Sequence, residues 1–190
     1  MSRAARLAAI TAALLLCRPL AASDKPPDLS PWSLAVEVRW SGDAGPEAFR
    51  ADVERSLATA LGSSCVGSVK PGADADLVLI ATLSGFVEEL RFDDSLATAA
   101  TPGEPTKELR RVATLEVDSG LQLLTRAQGR EVATKSFHVE VNYRPMYLGE
   151  EPQATARTHV IERLVQETSR AMCKSGGKLA ARVRKELDAR

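Results

Sequence analysis

The side chains that most often carry chemistry are few and scattered in this sequence. Its two histidines, His138 and His159, belong to different predicted elements, and neither has a second histidine or a cysteine at the spacing of a metal site. A zinc-type centre needs several such ligands close together. We therefore expect no metal site, and we interpret both histidines as surface or boundary residues.

The serines, glycines and acidic residues also lack the sequence context that catalysis needs. No G-x-S-x-G sequence surrounds a serine, and the glycines match neither a phosphate loop nor a dinucleotide-binding fingerprint. Adjacent acidic pairs such as Glu88-Glu89 and Glu150-Glu151 fall at strand ends or in loops, where solvated charge is the usual explanation. The sequence thus predicts a protein that is not an enzyme and needs no cofactor.

The first 23 residues have the pattern of a secretory signal peptide. Arg3 and Arg6 precede an apolar run from Leu7 to Cys17, which is too short to span a bilayer comfortably, and small residues then suit cleavage. Cleavage would remove three of the 25 basic residues and none of the 25 acidic ones, which leaves a net charge of −3. That charge, with an aromatic content of 4%, argues against a nucleic-acid partner. We expect an exported protein.

The three cysteines raise two questions of covalent chemistry. Cys17 is a candidate for lipid attachment, although Leu16 is a poor match to the small residue that usually precedes an acylated cysteine. Cys65 and Cys173 would remain in the mature chain, and an oxidising compartment favours a disulfide between them. The alternative is two buried thiols that behave as small hydrophobic side chains.

One long apolar run organises the rest of the chain. From Leu77 to Leu83 it is apolar on both alternating faces apart from Thr82, which predicts a strand, within residues 76–90, that lies inside a sheet and not at its edge. Before it, the Pro-rich residues 24–32 are predicted to form a tether. A single domain is predicted to follow over residues 33–190.

The remaining patterns predict a two-layer α+β sandwich. Strands are indicated at 33–40, 65–66, 76–90, 109–124 and 131–143, and helices at 46–61 and 152–187, the second interrupted at Gly176-Gly177. The order β-α-β-β-β-β-α, with one apolar stripe on each helix, predicts a mostly antiparallel sheet with two helices packed on one face. Residues 93–107 and 142–152 lack a repeating pattern and are predicted to be loops.

In this order of elements the chain resembles the LptE-like lipopolysaccharide-assembly lipoproteins. The matching features are the helix FRADVERSLATAL, the strand ADLVLIATLSGF that opens with Ala75-Asp76, two long strands joined by a short glycine turn, and the terminal helices ARTHVIERLVQETSRAM and LAARVRKEL. The likeness covers residues 33–188 and is one of pattern. The residue before Cys17 and the segment 93–107 depart from it.

The resemblance implies a non-catalytic protein in the periplasm or at the inner face of the outer membrane. It would dock with a β-barrel translocon and assist lipopolysaccharide assembly and transport, with both loops reaching the barrel. Lys107, Arg110 and Arg111 would then be the nearest basic residues for lipid phosphates, with solvated loop charge as the alternative.

Two other classes of protein fit the same patterns. Envelope lipoproteins with similar α/β domains, such as penicillin-binding-protein activators and CsgG-like secretion subunits, also open strands with Ala-Asp followed by aliphatic residues. A secreted small-ligand carrier would use the face of the sheet away from the helices. An apolar cavity on that face is the feature that would favour the carrier.

Overall fold

The computed structural model describes residues 29–42, 45–64, 66–70, 72–93, 111–147, 149–173 and 177–189. Within these residues five strands form one sheet in the order β2-β1-β3-β4-β5. The strands are β1 (Leu29–Ser41), β2 (Val66–Val69), β3 (Leu77–Phe92), β4 (Arg111–Thr125) and β5 (Glu131–Tyr143). The helices are α1 (Glu47–Ser64), α2 (Pro152–Cys173) and α3 (Lys178–Asp188), and a single 3-10 turn, Gly72–Asp74, lies between β2 and β3.

The sheet combines parallel and antiparallel pairs. β1 runs parallel to both β2 and β3, while β4 is antiparallel to β3 and to β5. The two-layer α+β architecture and the interior position of β3 are confirmed. The sheet is mixed, and most of its paired residues are antiparallel as predicted, in the long β3–β4 and β4–β5 pairs. The parallel pairing arises because α1 carries the chain back to the end of the sheet where β1 began.

The chain changes from one side of β1 to the other at Leu34. This residue pairs with Val69 at the end of β2 and with Leu77 at the start of β3, and its carbonyl accepts a 2.9 Å hydrogen bond from the Lys70 N–H. The connection carries Ala75, which is buried on the face away from the helices. β2 therefore pairs with the first part of β1, and β3 pairs with the second part.

β1 begins at Leu29, inside the segment predicted to be a tether. Leu29 is buried and pairs with β2, and a register shift follows it. A proline is tolerated in a strand at such an irregularity, which explains how Pro31 lies in β1. Gly67 is required beside it, because a Cβ there would overlap the carbonyl oxygen of Ser30. The folded domain thus extends into part of the predicted tether.

The first half of β3 is covered on both faces. Its helix-facing residues are almost fully buried: Leu77, Leu79, Ala81 and Leu83. Between them, Val78 and Ile80 are buried on the opposite face together with Ala35 and Ala75. The predicted two-sided burial of this run is therefore confirmed.

The second half of β3 is largely exposed. A register shift against β4 lies between Ser84 and Val87, and Gly85 within it has a φ of +60°, a conformation that residues with a side chain rarely adopt. A Cβ at Gly85 would also lie 2.9 Å from the carboxylate of Asp118. Beyond this bulge the exposed positions predominate as far as Phe92, so one strand serves as core and then as surface.

The helices pack on one face of the sheet. α1 buries the predicted stripe at four-residue spacing, Phe49, Val53, Leu57 and Leu61. The same core receives Val160, Leu164 and Met172 from α2, and Leu179 and Val183 from α3. The predicted interruption of the last helix is confirmed, since α2 ends at Cys173 and α3 begins after Gly177, whose φ is +80°. None of the described helices is long and apolar enough to cross a membrane.

Candidate docking surface

Four large apolar side chains are exposed at one end of the sheet, and we call them the apolar tip. They are Leu90 (41% exposed), Phe92 (65%), Met146 (75%) and Tyr147 (69%). Phe92 ends β3 opposite Arg111 of β4, and β5 ends at Tyr143 opposite Ala113 of β4, so both strands finish at the same end of the sheet. Two strand spacings separate β3 from β5, which is about 10 Å. Several exposed apolar side chains in one place are typical of an interaction surface.

Glu150 fixes the segment that carries Met146 and Tyr147. Its Oε2 accepts a 2.7 Å hydrogen bond from the hydroxyl of Tyr143 and a 3.0 Å hydrogen bond from the N–H of Met146. The hydrogen bond to Glu150, followed by partial burial and by the negative charge itself, raises the pKa of Tyr143. The carboxylate therefore ties this loop back to the end of β5.

Two ion pairs connect the tip to the rest of the domain. Arg144, which follows β5, lies 3.1 Å from the carboxylate of Asp93, which follows β3. Arg157 of α2 donates hydrogen bonds of 2.9 and 2.7 Å to the two oxygens of Glu88 in β3, whose side chain is 13% exposed. A two-pronged bond between arginine and a carboxylate is the stronger geometry for such a pair. These contacts fix α2, β3 and the loop after β5 relative to one another.

The exposed part of the face away from the helices is mainly polar. His138 lies there as predicted, with its Nδ1 2.9 Å from Oδ1 of Asp118 on the neighbouring strand. Asn142 accepts a 2.7 Å hydrogen bond from the Thr114 hydroxyl and donates a 2.7 Å hydrogen bond to Glu140. The contacts of His138 with Asp118 and of Asn142 with Thr114 join neighbouring strands and stabilise the sheet itself. They do not form the apolar cavity that a small-ligand carrier would need.

The structure describes one of the three basic residues predicted to contact anionic lipid. Arg111 opens β4 directly opposite Phe92 and so lies beside the apolar tip. Its Nε is buried and has no hydrogen-bond partner among the described residues. Lys107 and Arg110 lie outside the described residues, as does most of the predicted loop at 93–107.

Of the three cysteines predicted to take part in covalent bonds, the structure describes Cys173. Cys173 ends α2, packs partly buried against the core and is disulfide-bonded. Cys65 and Cys17, like the predicted signal peptide, lie outside the described residues. The Cys65–Cys173 pairing and lipid attachment at Cys17 therefore stay predictions. In the part of the chain that the structure describes, no group of three or more His, Cys, Asp or Glu side chains is placed to hold a metal ion.

The apolar tip is not among the sites that the sequence predicts. Met146 and Tyr147 lie in the segment NYRPMYLGEEP, whose lack of periodicity predicts a loop and nothing more. The available signal was two large apolar residues in a stretch with no strand or helix to bury them. Phe92 was missed because the strand was predicted to end at Leu90, two residues before its observed end.

Solved structures share this fold at low sequence identity. A protein from Xanthomonas campestris with the family description DUF330 is 14% identical over 88% of this chain and 93% of its own, with a TM-score of 0.51. A neuraminyllactose-binding hemagglutinin homolog from Helicobacter pylori is 12% identical over 85% of this chain and 96% of its own, with a TM-score of 0.50. Likenesses at these identities show the fold alone.

A minor lipoprotein from Acinetobacter baumannii aligns more loosely. It is 14% identical over 73% of this chain and 89% of its own, with a TM-score of 0.42, which is too low to support an argument. No protein-family model and no curated protein matches the chain.

Proposed function

We propose that this chain is a non-catalytic accessory protein of the cell envelope that docks with an outer-membrane β-barrel protein. The observation that carries the proposal is the apolar tip, where four large side chains are exposed and the loop that bears two of them is tied down. The N-terminal signal pattern supports export to the periplasm or to the inner face of the outer membrane. The LptE-like order of elements supports a role in lipopolysaccharide assembly and transport.

The composition of the tip suits a protein partner. Burying a fully exposed side chain as large as Phe92 contributes about 1.5–3 kcal/mol. Aromatic residues such as Phe92 and Tyr147 are also enriched among the residues that dominate binding energy at interfaces. The tip is about 10 Å wide across β3, β4 and β5, which is narrow enough to enter the lumen of a large barrel. Arg111, beside Phe92, would be placed for a lipopolysaccharide phosphate.

The competing envelope roles predict different consequences of losing the protein. We propose depleting it in the native cells and measuring both surface lipopolysaccharide and the folding of the translocon barrel. Both should fall. If both are unchanged while peptidoglycan synthesis or curli-type secretion fails, the penicillin-binding-protein activator or CsgG-like alternative is correct. If no envelope property changes, the small-ligand carrier is favoured.

A second experiment tests the tip itself. A triple variant, Phe92→Ser with Met146→Ser and Tyr147→Ser, should stay folded but fail to restore the depleted cells. Val87→Ser is the matched control, because Val87 is 41% exposed on the same strand but lies before the tip, and it should restore them. A folded triple variant that restores the cells as well as the natural protein would show that the tip is not the docking surface.

A further inference from the structure

β5 is a long strand at the edge of the sheet. It has 13 residues, and among the described residues its outer side pairs with no other strand. Natural edge strands are usually protected by shortness, proline or bulges. The opposite edge follows that rule with the four residues of β2. β5 contains no proline, and its only recorded register shift lies near Val132 at its start, so residues 135–143 present a regular free edge.

A groove runs along this edge, between β5 and α2. One section, of about 720 Å³, is lined by residues 140–143 of β5 and by His159, Glu162, Arg163 and Gln166 of α2. The next section has a volume of about 360 Å³. It is lined by Ala133, Thr134, Lys135 and Phe137 of β5 and by Glu167, Arg170, Ala171 and Met172 of α2. α2 therefore follows the edge along its length, and Gln166 lies level with the middle of β5.

We infer that this edge binds the same edge of a second copy of the chain, which forms a two-fold symmetric dimer with a continuous sheet. β5 is self-complementary about Val139, which supports this pairing. Antiparallel pairing centred there places His138 opposite Glu140 of the second copy, and Phe137 opposite Val141. It also places Ser136 opposite Asn142. Centring the pairing one residue earlier would instead oppose His138 to itself and Lys135 to Val141.

The exposed stripe of α2 is also self-complementary, about a residue that lies near the level of Val139 in β5. Antiparallel packing centred at Gln166 places Glu162 opposite Arg170 of the second copy, and Arg170 opposite the second copy's Glu162. Both side chains are exposed in the single chain, Glu162 by 67% and Arg170 by 53%, so two ion pairs would lie symmetrically about the dimer axis. Since Gln166 is level with the middle of β5, the strand and the helix indicate one common axis.

The spacing of the layers is consistent with both contacts at once. α2 packs on both β4 and β5, so its axis lies about half a strand spacing inside β5. Pairing β5 with its copy puts the two-fold axis about half a spacing outside β5. The two copies of α2 would then lie about 10 Å apart, at the distance of packed helices. The sheet and the helices can therefore be joined without moving either layer.

The test uses charge reversals that a two-fold dimer must compensate in a defined way. Glu162→Arg alone and Arg170→Glu alone each place like charges opposite one another twice, so each should raise the dimer dissociation constant about tenfold. Mixing the two variants should restore dimers, because in the mixed pair both contacts join opposite charges. Arg55→Glu, a reversal on α1 at a side chain that is 73% exposed, is the control and should leave dimerisation unchanged.

Dimerisation is measured on the exported mature protein by analytical ultracentrifugation, with circular dichroism to confirm that each variant is folded. Gln166→Cys gives an independent readout, since two copies of residue 166 at the axis should cross-link under mild oxidation, whereas Arg55→Cys should not. Four results would overturn the inference: a natural protein that stays monomeric, an assembly larger than a dimer, single reversals without effect, or a mixture no better associated than its parts.

Discussion

Replacing Asp76 with alanine removes the acceptor that joins the start of β3 to β1. The Asp76 Oδ2 accepts hydrogen bonds of 2.8 Å from the N–H of Ser33 and of 2.7 Å from its hydroxyl, while the Asp76 N–H donates to that hydroxyl oxygen at 3.1 Å. Ser33 is 5% exposed. These bonds lie next to Leu34, where the chain changes sides of β1. The substitution therefore tests whether the hydrogen bonds between Asp76 and Ser33 stabilise this crossing.

The expected loss follows from what the substitution leaves unpaired. A buried donor without an acceptor costs about 1–3 kcal/mol, so Asp76→Ala should lower the free energy of unfolding by about 2 kcal/mol. Asp76→Asn keeps an acceptor oxygen but loses the charge, so it should cost about 1 kcal/mol. Asp74→Ala is the control, because Asp74, like Asp76, is exposed but does not bond Ser33, and it should change stability by about 0.5 kcal/mol at most.

The charge should also give the loss a pH dependence. The backbone hydrogen bond from Ser33, followed by its hydroxyl and by nearby Lys70, holds the pKa of Asp76 below its ordinary value of 3.8. Because the folded pKa is the lower one, this stability is fully present above the unfolded-state pKa and is lost as the pH falls through the folded pKa. In urea unfolding, the difference between the natural protein and Asp76→Asn should be constant between about pH 5 and 7 and shrink below about pH 4.

Two results would refute this reasoning. If Asp76→Ala unfolds at the same urea concentration as the natural protein, the hydrogen bonds between Asp76 and Ser33 do not contribute to stability. If the stability difference between the natural protein and Asp76→Asn does not shrink in acid, the charge of Asp76 is not the cause of that difference.

Three further predictions concern the core, the covalent link and the tip. Leu79→Asp should unfold the domain and so abolish the cooperative melting transition seen by circular dichroism, because Leu79 is fully buried and an unpaired buried charge is among the costliest substitutions. A melting curve like that of the natural protein would contradict the central role of β3. A Cys65–Cys173 disulfide should leave no free thiol in the exported protein and, by closing a loop of about a hundred residues, should contribute roughly 4–5 kcal/mol on the chain-entropy model; two free thiols would exclude it. Glu150→Ala should lower the pKa of Tyr143 towards 10.0, since the bond that raises it is lost. With two tyrosines in the chain, a spectrophotometric titration resolves this, and an unchanged curve would show that Glu150 does not hold the loop.

Hydrophobic periodicity predicted the elements that bury a continuous apolar stripe. β5 was predicted at 131–143 and has those bounds, because its alternation continues as far as Tyr143. α1 was predicted to end at Leu61, before Gly62, but continues to Ser64. Its apolar stripe stops at Leu61, and periodicity carries no information about the polar turn that follows.

Strand order depends on contacts that periodicity does not record. Alternation assigns each residue to a face of the sheet, but it does not say which strand lies alongside. The parallel pair of β1 and β3 is joined by Ser33 and Asp76, which are 43 residues apart in sequence. The Ala75-Asp76 pair therefore has a physical reason beyond the resemblance, because Ala75 fills the second face of the sheet and Asp76 bonds Ser33.

The apolar tip and the β5 edge make separate demands on any assembly. Antiparallel pairing of β5 about Val139 turns the second copy end for end, so the two tips would lie at opposite ends of the joined sheet. One barrel or one flat membrane could then engage only one tip, and dimerisation would add no avidity to docking. A tip variant should therefore still dimerise, and Glu162→Arg, which weakens the dimer, should still dock. The apolar tip and the β5 edge can be disrupted by separate substitutions, so a result that refutes docking would not refute dimerisation, and the reverse also holds.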